Sequence, residues 1–134
     1  MSWKLPISAK GIILCNEQVL LLKNERNEWE LPGGRLEQGE TPEECVIREI
    51  REELGFSCSI ASLIDAWVYE VLKNRHVFIV AYLCNCPDTR KVKLSHEHSA
   101  YQWFPVAGLE AAAIPKGYVN SIRIATNVLA RDRE

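Results

Sequence analysis

An α/β fold, with a mixed sheet held between one early and one late helix, is what the 134 residues predict. Three observations carry it. Four apolar runs have the length and residue types of strands. Two other segments, one in the first half of the chain and one at its end, repeat apolar residues at helical spacing. The chain is also long enough for one core of this kind and too short for two, with 47% hydrophobic and 25% charged residues. A single domain over residues 1–134, without repeat or linker, is therefore expected.

In chain order, residues 10–15 and 18–23 read as two strands joined by an Asn16-Glu17 turn. Residues 23–40 read as a polar loop, long for a compact domain and so a place to look for function. Its Pro32-Gly33-Gly34 centre argues for a fixed backbone shape. Thr41, Pro42 and Glu44 then supply an N-cap, a first-turn proline and a capping-box partner. A helix follows over residues 42–54, with Gly55 as its stop. Val46, Ile47, Ile50 and Leu54 share the face that should pack on a sheet. Residues 57–73 and 76–86 read as long strands, and residues 101–106 as a short one after a polar stretch. Val119, Ile122, Ile124, Val128 and Leu129 mark the closing helix, residues 117–133.

The net charge is −2 and the pI about 6.0, so there is no bulk basic field for DNA or for an anionic membrane. A highly anionic ligand would need local cations or a bound metal. Five cysteines, an odd number, come without a secretory leader pattern, which points to reduced thiols and a cytoplasmic protein. No apolar run approaches the length of a membrane span.

Fifteen glutamates stand against three aspartates, and seven of them lie between Glu37 and Glu53. Glu49, Glu52 and Glu53 are spaced i, i+3, i+4 and share one helix face, expected to turn away from Val46, Ile50 and Leu54. Like charges at this spacing cost about 0.2–0.5 kcal/mol per pair. In the last helical turn the macrodipole adds roughly 0.3–1 kcal/mol for each of Glu52 and Glu53. Arg48 offsets part of this by pairing with Glu44 and Glu52. Carboxylates placed where they destabilise the helix point to a bound cation. Hard oxygen ligands suit Mg²⁺, with Mn²⁺ as the alternative. Mg²⁺ shares its sites with phosphates, and Gly33-Gly34 lets backbone come close to it. The chemistry assembled is metal-assisted attack of water on phosphorus.

Gly34, five residues, Glu40, seven residues, then Arg48-Glu49-Ile50-Arg51-Glu52-Glu53-Leu54-Gly55-Phe56 fill every fixed position of a Nudix box. With WELPGG before it and YQWFP after it, most of the chain resembles the Nudix hydrolases. That resemblance implies an α/β/α sandwich and divalent-metal-dependent cleavage of a nucleoside diphosphate linked to another moiety. It makes Glu49, Glu52 and Glu53 metal ligands, with the Gly34 carbonyl as a further one. Arg48 would orient the glutamates and Glu40 would hold the loop–helix geometry. The general base would be Glu49 or Glu97, the latter six residues before Trp103. A compact chain favours a nucleoside triphosphate or modified nucleotide as substrate. ADP-ribose, dinucleoside polyphosphates and an RNA 5′ end are the alternatives, and a non-catalytic nucleotide-sensing module is the alternative from another class. A monomer and a homodimer, with Trp3 as an exposed contact, both fit the sequence.

Arg26 and Arg35 flank the box loop and are candidate phosphate contacts. Tyr69 and Asn120 are candidates for the nucleotide's base, with Tyr118 taking the place of Asn120 if the last helix is anchored on Pro115. Cys84, Cys86, His96 and His98 do not have the spacing of a common structural zinc motif. Cys84 and Cys86 alternate onto one strand face instead.

Overall fold

The computed structural model describes residues 1–95, 98 and 100–133. Seven strands and two helices follow in the order β1 (Ile7–Cys15), β2 (Gln18–Lys23), β3 (Trp29–Glu30), β4 (Gly33–Arg35), α1 (Pro42–Leu54), β5 (Ser59–Leu72), β6 (Arg75–Asn85), β7 (Ala100–Pro105) and α2 (Lys116–Asp132), with a single 3-10 turn at Leu109–Ala111. The sheet is mixed: β1 runs parallel to β6 and antiparallel to β2 and β4.

Its two faces are covered by different helices, as an α/β/α sandwich requires. The strand period of two sorts neighbouring residues between them. Ile12, Val19 and Leu21 pack with Tyr118, Val119, Ile122 and Ala125 of α2. Ile13, Leu20 and Leu22 pack with Val46, Ile50 and Leu54 of α1. Strands buried on both faces read as continuous apolar runs, which explains the IILC and VLLLK signals. β5 lies at the sheet's edge and alternates exposed with half-buried residues along nearly all its length.

Helix α1 has the bounds its sequence predicts. Thr41 accepts from the Glu44 amide, Glu44 accepts from the Thr41 amide, and Gly55 closes the helix at φ 77°. The Asn16-Glu17 turn has both residues at positive φ, as a two-residue hairpin turn with primed geometry needs. Three expectations are corrected. β1 begins at Ile7 rather than at residue 10, because β6 pairs with it from Ile7 onward. The presumed loop of residues 23–40 contains β3 and β4, and β4 pairs through Gly33 and Gly34 with Lys10 and Ala9. Two or three residues are too short to show a period. Arg48 does not pair with Glu44, whose carboxylate is committed to the helix cap. No helix among the described residues is long and apolar enough to cross a membrane.

Candidate active site

The Gly33–Arg35 strand lies along β1 on one side and against α1 on the other, so the box loop and the acidic helix meet over β1. Gly33 has φ 144°, and a Cβ there would sit 2.1 Å from the Ala9 carbonyl oxygen. At Gly34 a Cβ would lie 2.6–2.8 Å from the Glu49 carboxylate. Glycine at both positions lets the chain pass between β1 and the carboxylates of α1.

Arg48 organises the acidic cluster. Its Nε and Nη2 donate to the two oxygens of Glu40 at 3.0 and 2.8 Å, a bidentate pair. Its Nη1 donates to Glu49 at 2.9 Å and to Glu52 at 3.3 Å, with Glu37 3.6 Å away. Nη2 also donates to the Arg35 carbonyl, which ties the loop down. The hydrogen bonds from Arg48 pull the Glu40 pKa down to about 2. One guanidinium thus holds together Glu49 and Glu52, which would otherwise repel.

Glu53 departs from its expected place. Its side chain is 3% exposed and turned inward, whereas the sequence put it on a face away from the core. Its Oε1 accepts from the Gly33 amide at 2.7 Å. His98 Nδ1 lies 3.3 Å from its other oxygen, and His98 Nε2 lies 3.1 Å from Glu30. Glu30 in turn faces Lys10 Nζ at 4.0 Å and accepts from Asn24. Lys10, His98, Glu30 and Glu53 therefore form a buried set of two basic and two acidic groups, the balance that burial of charge demands. Burial pushes Glu53 up to about 7, against the opposing pull of Lys10, His98 and the Gly33 amide. Burial opposes the charge of Lys10 as well, but Tyr118, Glu30, Glu53 and Glu49 together raise its pKa above the ordinary value. His98 is raised first by its hydrogen bond to Glu30, with burial opposing.

Glu30 is held at about 2, since Lys10, His98 and Asn24 outweigh the burial that would raise it. The sign of the linkage follows: the folded pKa is below the ordinary value of 4.5, so the stabilisation is full above that value. It is lost as pH falls toward about 2, and for a group this buried it amounts to about 3 kcal/mol. Glu30→Gln is expected to flatten the acid limb of the stability profile between those two values. Denaturant unfolding at closely spaced pH values checks this, and an unchanged slope would refute it.

A solvent-open cleft of about 250 Å³ adjoins this network, lined by Lys10, Arg26, Glu30, Arg35, Tyr69 and Tyr118 among others. Three of the four sequence-nominated substrate contacts, Arg26, Arg35 and Tyr69, share it. Asn120 does not: it is exposed on α2 outside this lining, and Tyr118 stands at the cleft in its place. Arg26 already donates to Glu25 and Glu28. Tyr69 and Tyr118 pack edge to face with ring centroids 5.7 Å apart. Glu97 lies outside the described residues.

The donor set fits a hard divalent ion. Glu49 offers its carboxylate next to Gly34, and Glu52 shares the Arg48 Nη1 with it. Among the described residues no three carboxylate, imidazole or thiol side chains already form a cage. Mg²⁺ does not need one, because it commonly takes one or two carboxylates and completes its shell with water and phosphate.

A family model for the NUDIX domain matches residues 5–123. The chain belongs to the Nudix hydrolase family. Over 112 residues this Nudix chain is 35% identical to putative nudix hydrolase 1 of Caenorhabditis elegans, which covers 77% of this chain and 30% of the worm protein. It is 34% identical over 89 residues to the 8-oxo-dGTP diphosphatase of Escherichia coli, covering 66% of this chain and 67% of that one. An ADP-ribose pyrophosphatase of Methanocaldococcus jannaschii is 40% identical over 65 residues, 46% of this chain and 38% of the relative. The match thus spans from 30% to 67% of these relatives' lengths. Among solved structures, a C. elegans Ap4A hydrolase has a TM-score of 0.82 at 23% identity, covering 94% of this chain and 98% of that one. The MutT Nudix hydrolase from Burkholderia pseudomallei has a TM-score of 0.79 at 24% identity, covering 91% and 98%. At these identities the likeness is one of fold, a mixed sheet between helices.

Sequence reasoning passed over Lys10 and Glu30, and weighed His98 only against a zinc motif. A signal for Lys10 existed: it is a charged residue between Ala9 and Gly11 at the start of an apolar strand, and it is 6% exposed. No local signal marks Glu30 or His98, which meet only because the region before β7 returns over α1.

Proposed function

We propose that this chain is a single-domain, divalent-metal-dependent pyrophosphohydrolase acting on a nucleoside diphosphate linked to another moiety, with a nucleoside triphosphate or modified nucleotide as its preferred substrate and Mg²⁺ as its metal. One observation carries the reading. Arg48 draws Glu49 and Glu52 together, with Glu49 beside Gly34, and the next residue, Arg35, lines a cleft with Lys10 and Arg26. Glu49, Glu52 and the Gly34 carbonyl would hold the ion. Bound there, a divalent metal supplies charge neutralisation of the diphosphate and a lower pKa for the attacking water.

The chain's own residues do the rest. Glu53 fixes the Gly33 amide and so the path of the box loop. Arg35 and Arg26 meet phosphate oxygens, with Arg26 exchanging its glutamate partners for them. Tyr69 and Tyr118 wall the cleft and give the base an aromatic edge to rest on. The tyrosine hydroxyls stay neutral at physiological pH, because burial pushes Tyr69 up to about 12 and raises Tyr118 as well. Glu49 takes the proton from water, with Glu97 as the other candidate. The relatives named as acting on 8-oxo-dGTP and on ADP-ribose both fall within this reaction class.

The test is a Mg²⁺-dependent hydrolysis panel. It would contain ordinary and oxidised nucleoside triphosphates, ADP-ribose, dinucleoside polyphosphates and triphosphorylated RNA, with Glu52→Gln as control. Turnover of a nucleoside triphosphate that is lost without Mg²⁺ and lost in the control is expected. Preference for another member would move the substrate assignment. Tight nucleotide binding with no turnover anywhere would replace the enzyme by a sensing module.

A further inference from the structure

Three of the five cysteines gather where β5 begins and β6 ends, with Cys58 four residues past Leu54, the last residue of α1. Ser59 pairs with Asn85 and Ile60 with Cys84 in the antiparallel β5–β6 ladder. Continued one step past the Ser59–Asn85 pair, where the ladder ends, this register sets Cys58 opposite Cys86. Cys84 lies on the same face of β6 as Cys86, two residues back. All three belong to the apolar cluster under α1, Cys84 buried, Cys58 and Cys86 half-buried. Directly opposed residues on antiparallel strands have Cα atoms about 4.5–5.5 Å apart, within the range a disulfide bridges.

Cys58 and Cys86 are half-buried and keep some contact with solvent, whereas Cys84 is buried. A surface hollow of about 270 Å³ is lined by Gly55, Phe56, Ser57, Pro87, Asp88 and Lys91, the residues immediately preceding Cys58 and following Cys86. The neighbouring Cys84 and Cys86 thiols favour the Cys58 thiolate, and the charge of Arg51 adds to this. The Cys58 pKa falls well below that of an ordinary thiol, first through Cys84 and then Cys86, while those two thiols are raised. Among the described residues no group of three is arranged to hold a metal ion, so thiol chemistry is the better use of this cluster.

We propose that Cys58 is a peroxide-reactive thiolate and Cys86 its resolving partner, joined on oxidation in a Cys58–Cys86 disulfide. In the first step the Cys58 sulfur attacks one oxygen of hydrogen peroxide or an organic hydroperoxide. The O–O bond breaks, an S–O bond forms, and the other oxygen leaves as hydroxide or alkoxide, which takes up a proton. In the second step the Cys86 sulfur attacks the Cys58 sulfenic acid. An S–S bond forms, the S–O bond breaks, and hydroxyl leaves as water with the Cys86 proton. Two thiols are oxidised to one disulfide and one peroxide is reduced. The bridge would fasten the start of the segment whose Lys93 and Ser95 amides donate to the Leu54 and Glu53 carbonyls at the end of α1.

Peptide mapping of the reduced wild-type protein after brief exposure to hydrogen peroxide tests this, with free thiols blocked by iodoacetamide. The expected product is a Cys58–Cys86 cross-linked peptide that dithiothreitol reverses. Without peroxide, iodoacetamide should label Cys58 about tenfold faster than the exposed Cys15 near neutral pH. In Cys86→Ser, peroxide should leave a Cys58 sulfenic acid that dimedone captures. Cys15 reacting first, or a link from Cys58 to Cys84 instead of Cys86, would overturn the assignment, as would Cys58 remaining a free thiol throughout.

Discussion

Glu52→Gln is expected to lower kcat on the order of a thousandfold at saturating Mg²⁺ while leaving the melting temperature nearly unchanged. Glu52 is the clean site for this experiment because its side chain is 60% exposed and makes one ion pair, to Arg48 at 3.3 Å. An i, i+4 pair of that kind contributes about 0.3–0.5 kcal/mol. Removing an anion from the last turn of α1 returns a similar amount through the helix dipole, so the two nearly cancel. What is lost is an anionic oxygen where the metal and the diphosphate meet. The amide keeps size and shape but binds a divalent ion far more weakly. Steady-state kinetics over a Mg²⁺ titration, with thermal melts alongside, checks both halves. Unchanged turnover would remove Glu52 from the metal site. A large fall in melting temperature would make it structural.

Glu53→Gln is a poorer control for the same purpose. Its amide oxygen would still accept from Gly33, but its NH₂ would replace the anionic oxygen that lies 3.3 Å from His98 Nδ1 and take the counter-charge from that ring. Activity and packing would change together there.

Lys10→Met is expected to be the most destabilising conservative-volume change near the site, by about 3–5 kcal/mol in metal-free buffer at neutral pH. Lys10 is 6% exposed in the middle of β1 and faces Glu30. Methionine fills the same strand position and leaves Glu30 and Glu53 with His98 as their remaining buried cation. An uncompensated buried carboxylate is costly, and the cost has a pH signature. Glu53 sits at about 7 with Lys10 present. Without that cation it moves higher, so more of it is protonated in the folded state. The penalty should therefore shrink as pH falls from about 8 toward 5, the reverse of the acid loss set by Glu30. Chemical denaturation of wild type and Lys10→Met at those two pH values is the check. A pH-independent difference would mean that only packing was lost, and no difference would mean that Lys10 is not the counter-charge.

The misplacement of Glu53 shows where reading stops. It is three residues from Ile50 and seven from Val46, so on a helix wheel it borders the apolar stripe as closely as it adjoins Glu49. Charge type alone assigned it to the solvent side. In the fold, the Gly33 amide, His98 and Lys10 supply partners that make burial tolerable. Asn120 lies outside the cleft lining for a different reason: its place near the start of α2 turns it to solvent, and Tyr118, the alternative, is the residue on the cleft side.

Residue order was enough to read helix α1 with both caps, the strand runs of the core, the two helical stripes of apolar residues, and the box that places this chain in its family. These depend on contacts one to four residues apart, or on a period of two, and both are written in residue order. Folding alone buries Glu53, supplies Lys10 and His98 as its counter-charges, makes Gly33 and Gly34 a strand on β1, and brings the start of β5 beside the end of β6. Each depends on strand register or on desolvation by distant segments, and neither has a signature in neighbouring residues.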